Sequence, residues 1–314
     1  MRRKTGKATY RLRNWREYNA ALIQRGSLTL WVSEEVLGTW HDDARTGKRG
    51  APRTYSDAAI LCMAWLSAVY RLALRAAQGL LFSVLKSLKV ALPVPDYTTL
   101  CRRRRSLAVS LPRRAKDEPL HVVVDATGVR VYGEGEWQVR CHGGSKRRTW
   151  RKLHVGVDEA SGELVAAVAT SNDLSDGQLL PALLDQIDGQ IAQVSGDSAY
   201  DTRDCYQAIE TRKARAAIPP RRGARIWQHG NSNTPPLARD ENLRSIRRRG
   251  RGEWKRAIGY HRRSLAETAI FRIKTIFGDR VRSRSFEAQA AEMLIRCSAL
   301  NRMTHLGMPD SYAV

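Results

Sequence analysis

Short apolar runs between residues 120 and 218 predict the strands of one sheet. These runs are bounded by turn residues, and they cover residues 120–124, 128–133, 153–158, 164–170, 191–195 and 215–218. Apolar residues at helical spacing predict two helices between the later strands, near 176–188 and 201–212. We interpret Asp201 as the N-cap of the second helix. Strands and helices in this order predict an α/β domain with one mixed sheet.

The region before this domain is predicted to be mostly helical. Ser56 or Asp57 can cap a helix through Val69, a second helix covers about 74–88, and Asp96 can cap a third. Helix, turn, helix and a short basic helix favour a helix-turn-helix-like DNA-binding region, with an ordinary three-helix bundle as the alternative. In the first interpretation two threonines face bases and three arginines meet phosphates. These residues are Thr98, Thr99, Arg102, Arg103 and Arg104.

Four polar residues near the C-terminal end share one face of a predicted helix. Tyr260, Arg263, Glu267 and Lys274 fall within about 60° at 100° per residue. An apolar stripe, which includes Ile273, lies opposite. A phenol, an acid and two bases on one face suit a helix that lines a phosphate-handling site. The alternative is a solvated face with an Arg263–Glu267 pair four residues apart.

The charge of the chain narrows the choice of partner. The 314 residues carry a formal net charge of +23, and the basic residues cluster. A nucleic acid is the leading candidate for the partner, with membrane surfaces and acidic proteins as alternatives. No apolar run reaches the roughly 18–20 residues of a membrane span, so we expect no membrane partner. The five scattered cysteines argue for reduced thiols and against zinc or a disulfide scaffold.

Two aspartates follow apolar strands, at the edge where ligands of open α/β sheets collect. Asp125 comes directly after the run 120–124, and Asp197 follows the run 191–195. With Glu267 they would form a cluster of three carboxylates whose mutual repulsion a divalent cation relieves. Two Mg²⁺ ions about 3.5–4 Å apart can activate a water and stabilise the leaving oxygen of a phosphodiester. Taken alone, Asp125 is better explained as an ordinary turn residue, and Asp197 could also be one.

These residues resemble the DDE transposases of bacterial insertion sequences, in the insertion-sequence-five group. The signature Y-x2-R-x3-E-x6-K is met without a gap by the four residues on the helix face. The first acid of the family matches Asp125 in VVVDATG, and the second matches Asp197 in GDSAYD. The resemblance extends over roughly residues 14–308, and the signature together with both aspartates is a specific match.

The resemblance implies a ribonuclease-H-like mixed sheet flanked by helices. It implies that Asp125, Asp197 and Glu267 are catalytic and hold two Mg²⁺ ions, for which Mn²⁺ could substitute. It also implies an N-terminal region that binds terminal inverted repeats, and multimers that pair two ends of double-stranded DNA before transfer to a target. We therefore expect a homo-oligomer on DNA, in the bacterial cytoplasm and associated with the nucleoid. A catalytically inactive repressor and a simple nuclease are the alternative functions.

The resulting layout has three parts. We expect a basic arm and linker over 1–53, the helical DNA-binding region over 54–114, and the catalytic domain over 115–310. Residues 219–259 form a basic insertion within the last part. Its Trp227 and Trp254 either stack on an unpaired base or are buried.

Overall fold

A computed structural model describes residues 10–42, 53–111, 118–131, 150–228 and 235–314 of the chain. The basic residues 1–9, the linker 43–52, the domain boundary at 114 and 115 and the end of the predicted strand 128–133 lie wholly or partly outside these ranges. The remaining predicted elements can be compared with the structure directly.

Within the described ranges the central sheet has six strands. Its strands are β2 (Leu120–Val131), β3 (Trp150–Asp158), β4 (Leu164–Ser171), β5 (Ile191–Ser195), β6 (Arg215–Ala217) and β7 (Arg280–Val281). The main path runs β4-β3-β2-β5-β6, and β7 pairs with the far end of β2. The first three strands are antiparallel, whereas β5 and β6 run parallel to β2. This mixed order is that of the ribonuclease-H-like fold, which confirms the predicted fold class.

The strand β2 is longer than predicted. Asp125 and Thr127 divide its apolar pattern, and the sequence therefore predicts two separate strands. The backbone continues through them, because every residue from Val122 to Arg130 has a partner on β3. The carboxylate of Asp125 thus lies within a continuous strand, in a fixed register, rather than in a turn.

Helices cover both faces of the sheet. Those outside the N-terminal region are α7 (Leu180–Leu184), α8 (Arg203–Thr211), α9 (Ala238–Arg249), α10 (Arg251–Ala257), α11 (Ser264–Phe277) and α12 (Phe286–His305). One core contains Val123, Val155 and the buried side of α11 and α12. A second core lies on the other face, where Val122 and Val124 pack with α7 and α8. This arrangement gives α11 access to the face of β2 that carries Asp125.

The N-terminal region is helical, as expected. Its helices are α1 (Trp15–Gln24), α2 (Leu28–Trp31), α3 (Glu34–Gly38), α4 (Asp57–Val69), α5 (Leu74–Ser87) and α6 (Tyr97–Arg103). Ser56 caps α4 and Asp96 caps α6, each through a side chain that accepts a backbone N–H. Among the described residues no single helix is long and apolar enough to cross a membrane. Only α4 and α5 taken together reach that length and hydropathy, and the chain bends by 112° between them.

The predicted helix over 260–274 is interrupted. Gly259 has a φ of +72°, and residues Tyr260–Arg263 form a 3₁₀ turn before α11 begins at Ser264. The prediction of one continuous helical face was therefore wrong for Tyr260 and Arg263, because the left-handed glycine starts a tighter turn.

Two short strands pair the N-terminal and C-terminal segments. β1 (Tyr10–Leu12) runs antiparallel to β8 (Ser311–Ala313), with Tyr10 opposite Ala313. Asn14 strengthens this contact, since its side chain donates to the carbonyl of Met308 and accepts from the N–H of Asp310.

Candidate active site

Strand register places the two aspartates at the same level of the sheet. Val123 on β2 is opposite Ser195 on β5, and these strands are parallel. Asp125 and Asp197 each lie two residues further along, so Asp125 within β2 and Asp197 just beyond the end of β5 lie at matching levels. Asp125 also shares a face of the sheet with Val123, because side chains alternate along a strand. This is the face that α11 covers.

Glu267 approaches this pair from α11 through an arginine. The Arg263 guanidinium donates a hydrogen bond to Glu267 Oε1. Its other terminal nitrogen lies 3.9 Å from Asp125 Oδ2. Arg263 therefore bridges two of the three acids, and a positive charge offsets their repulsion.

The electrostatics of Asp125 reflect the whole group. Burial raises the pKa of its carboxyl above the ordinary value, and the charges of Asp197 and Glu267 raise it further. The N–H of Ala126, which donates to Asp125 Oδ1 at 2.9 Å, and the Arg263 guanidinium act in the opposite direction. All three acids and Arg263 thus lie within electrostatic range of one another. Of the residues that the sequence singled out, the structure brings these four within range of one another.

Tyr260 belongs to the same group, and Lys274 lies further along the helix. Burial raises the pKa of Tyr260, and the charges of Asp197, Glu267 and Asp125 also contribute. The Tyr260 ring packs at 6.0 Å from Trp254, between ring centroids. Lys274 is partly exposed on α11, two turns beyond Glu267.

The donor chemistry suits a hard cation, although the acids are not arranged as ligands. Among the described residues, no three His, Cys, Asp or Glu side chains stand close enough to hold a metal ion. Glu267 is directed to Arg263, while Asp197 accepts the N–H of Ala199 at 2.8 Å. The three carboxylates supply the oxygen ligands that Mg²⁺ prefers, so the residue types fit this ion.

The structure also identifies polar contacts of the segment after Asp197 that the sequence did not predict. Asp201 is not the N-cap of α8, since Thr202 has that role. Asp201 is buried instead against Arg239, whose Nε donates to Asp201 Oδ1 at 3.0 Å. Arg221 contacts the same segment. The only signal in the sequence was the excess of arginine in 219–259, which does not reveal partners distant along the chain.

The candidate DNA-reading residues of α6 differ in what they contact. The Thr98 hydroxyl donates to Asp96 Oδ1 at 2.5 Å and is exposed. Arg103 donates to the carbonyl of Tyr55 and to the carboxylate of Asp57, so its guanidinium already has partners within the protein. Thr99 is partly exposed and Arg102 is exposed. Arg104, partly buried, lines a cleft with Arg71 and Phe277.

The two tryptophans of the insertion have different environments. Trp254 is 3% exposed and donates from Nε1 to Asn242 Oδ1, so the buried alternative holds for it and a base cannot reach its ring. Trp227 is partly exposed, and the guanidinium of Arg239 lies 3.9 Å from the ring centroid. Tyr206 meets Trp227 edge-on. The guanidinium of Arg203 also lies over the ring, 5.4 Å from its centroid, so Trp227 is packed among side chains of the protein itself.

A ribonuclease-H-like sheet with one acid within β2, a second just after the neighbouring strand β5 and a third on the covering helix α11 defines a class of phosphoryl-transfer domains. Residues 116–302 match the model of a family described as transposase DDE domain, and residues 23–134 match a second model with the same description. The first match spans more than half of the chain. The protein belongs to the DDE transposase family.

One solved structure resembles the chain at low identity. It is a cryo-EM structure of a piggyBac transposase synaptic complex with hairpin DNA. The similarity covers 90% of this chain and 76% of that chain, with 12% sequence identity and a TM-score of 0.40.

Proposed function

We propose that the protein is a transposase that binds the terminal inverted repeats of an insertion sequence and catalyses Mg²⁺-dependent strand cleavage and strand transfer. The observation that carries the proposal is the grouping of three acids from separate segments: Asp125 and Glu267 lie at Arg263, and Asp197 follows the neighbouring strand within electrostatic range of Asp125. Membership of the DDE transposase family and the net charge of +23 support it.

In this proposal the three acids hold two Mg²⁺ ions, and Mn²⁺ could substitute for them. When bound, such ions supply an activated water or hydroxyl and stabilise the leaving oxygen of the phosphodiester. The Arg263 guanidinium offsets the charge of Asp125 and Glu267 in their absence. Metal binding and the Arg263 contact therefore compete for the same carboxylates. Once displaced, Arg263 is free to bind a DNA phosphate through its planar fork of donors.

The other candidate residues position DNA. Lys274 binds a phosphate as a point charge beside the acids, and Tyr260 supports the position of Arg263. The α6 helix contacts DNA through Thr98, Thr99 and Arg102, with Arg103 and Arg104 held in protein contacts nearby. The protein works as a homo-oligomer that pairs two DNA ends in the bacterial cytoplasm, near the nucleoid.

Neutral isosteres of the acids test the proposal. Asp125→Asn, Asp197→Asn and Glu267→Gln should each reduce cleavage of linear DNA carrying the element ends. The reduction should exceed the roughly 10–100-fold loss that removal of a residue supporting a metal ligand causes. The affinity for the DNA ends should remain close to that of the wild type, because these substitutions remove a metal ligand and leave every lysine and arginine that binds DNA in place. Cleavage is followed on labelled DNA with Mg²⁺, and binding by gel shift.

Asp185→Asn is the matched control, because Asp185 is an exposed acid at the end of α7 and loses the same charge. It should cut at the wild-type rate. If any of the three site variants cleaved DNA at the wild-type rate, the acid substituted in that variant would not be a catalytic residue. A wild-type protein that binds ends without cutting would indicate the repressor, and cutting without joined products would indicate the nuclease.

A further inference from the structure

The position of Asp197 depends on a short loop. Residues 196–201, called here the Asp197 loop, follow β5 and contain the 3₁₀ turn Ser198–Tyr200. Asp197 Oδ1 accepts the N–H of Ala199 at 2.8 Å. The orientation of its carboxylate is therefore tied to the position of this turn.

Arg221, in the basic insertion, contacts the Asp197 loop at three points. Its backbone N–H donates to Asp201 Oδ2 at 2.9 Å. Its side chain donates from Nε to the carbonyl of Ser198 at 3.2 Å, and from a terminal nitrogen to the carbonyl of Ala199 at 3.5 Å. These carbonyls belong to the two residues directly after Asp197, so one exposed arginine fixes the turn that orients the catalytic acid.

A buried ion pair holds the other end of the loop. Arg239 donates from Nε to Asp201 Oδ1 at 3.0 Å, and both residues are almost fully buried. Arg239 also donates to the carbonyl of Arg225 and to Asp240. A buried charge is costly without its partner, so loss of either member of this pair would leave an uncompensated charge in the interior. The loop and the insertion are thus mutually dependent parts of the fold.

We infer that Arg221 and Arg239 are positioning residues, through which the insertion 219–259 holds Asp197 where it can bind a divalent cation. The inference rests on the proposed function, because it requires Asp197 to be a metal ligand. Its physical basis is that groups which orient a metal ligand commonly alter metal affinity by 10–100-fold. An arginine that only binds DNA phosphate would change DNA affinity and leave metal affinity unchanged.

Two adjacent arginines allow a matched test. Arg221→Ala removes the two side-chain contacts to the loop and keeps the backbone N–H that donates to Asp201, whereas Arg222→Ala removes an exposed neighbour of equal charge that makes no described contact with the loop. Mn²⁺ binding to each protein is measured by electron paramagnetic resonance without DNA, DNA affinity by fluorescence anisotropy, and folding by thermal unfolding. We expect Arg221→Ala to bind Mn²⁺ about 10-fold more weakly than Arg222→Ala, with equal DNA affinity in the two variants.

Equal Mn²⁺ affinity in the two variants would overturn the inference. Should Arg221→Ala be unfolded at the assay temperature, Arg221→Lys replaces it. Lysine keeps the charge and lacks the fork that reaches two carbonyls. The Arg221→Lys variant should also bind Mn²⁺ more weakly than Arg222→Ala. Equal Mn²⁺ affinity in these two variants would again overturn the inference. The Asp197→Asn variant distinguishes failure of this inference from failure of the proposed function. If that variant bound Mn²⁺ as well as the wild type, Asp197 would not be a metal ligand, and the proposed function itself would be contradicted.

Discussion

Gly196 lies between the end of β5 and Asp197 and has no room for a side chain. A Cβ atom there would lie 2.8 Å from Cδ2 of Tyr200 and 3.0 Å from Cγ2 of Val124. Both neighbours are buried, and Tyr200 belongs to the Asp197 loop. The close packing of the loop on β2 therefore requires glycine at this position.

Gly196→Ala should displace the loop and destabilise the protein. Crowding in a packed core typically costs about 1–3 kcal/mol, and the accompanying shift of Asp197 should also lower the cleavage rate. Urea unfolding and the DNA cleavage assay measure the two effects. The control is Gly79→Ala on α5, where a Cβ meets nothing within 4 Å. It should be neutral or stabilise by about 0.5–1 kcal/mol, and a similar result for both variants would contradict the crowding argument.

The residue scale also shows what the sequence could predict about the site. Apolar strands followed by acids, and the spacing from Tyr260 to Lys274, are local signals, and they led to the residues that the structure groups together. The pairing of Asp201 with Arg239 joins residues 38 positions apart. No local pattern specifies which of many arginines will be buried beside a given aspartate. The catalytic roles of the predicted residues stay predictions.

Among the helices, α6 depends most clearly on a single cap. It has only seven residues, and a helix this short is marginal without tertiary contacts and capping. Asp96 Oδ1 accepts both the N–H of Thr98 at 2.8 Å and its hydroxyl at 2.5 Å. These bonds lower the pKa of Asp96. The hydroxyl of Thr98 is thus part of the cap in the protein without DNA.

Asp96→Ala should fray α6 and weaken recognition of the element ends. Loss of an N-cap typically costs about 1 kcal/mol. Asp96→Asn removes the same charge and keeps a capping side chain, so it should retain both stability and end recognition. The measurement is the ratio of affinities for end DNA and unrelated DNA, together with urea unfolding. If Asp96→Ala kept the wild-type ratio, α6 would not be the recognition element.

At the scale of the elements, the bounds of strands and helices depend on backbone contacts that the sequence pattern does not show. An apolar pattern cannot show that β2 continues through Asp125, because the hydrogen bonds to β3 rather than the side chains maintain the strand. Similarly, the spacing from Tyr260 to Lys274 assumes one helical period. The positive φ of Gly259 and the 3₁₀ turn after it change that period locally.

At the scale of the whole molecule, two histidines, one buried and one partly buried, affect how stability changes with pH. Burial lowers the pKa of both His121 and His154 below the ordinary 6.5. His154 is 0% exposed on β3, where Nε2 lies 3.0 Å from Thr170 Oγ1 and Nδ1 lies 3.8 Å from Asp176. Asp176 opposes the shift and Lys152 adds to it. The native protein therefore holds these rings neutral at a pH where the unfolded chain protonates them.

The unfolding free energy should consequently fall as pH decreases from 7.5 to 5.5. Between the lowered native pKa and the unfolded value, the unfolded state binds more protons, so acidification favours it by at most about 1.4 kcal/mol per pH unit for each histidine. His154→Gln should reduce this decrease, as measured by urea unfolding across the range. His41→Gln, at an exposed histidine, should follow the wild-type profile. A His154→Gln profile parallel to wild type would be incompatible with this account.

The pairing of β1 with β8 has a mechanical consequence. Because Tyr10 is opposite Ala313, the outer ends of both strands lie on the same side of the pair. Tension applied between those ends would load the hydrogen bonds one after another, in an unzipping geometry rather than in shear. The two strands would therefore separate at low force. The central sheet shares no strand with this pair, so it would stay folded while β1 and β8 come apart.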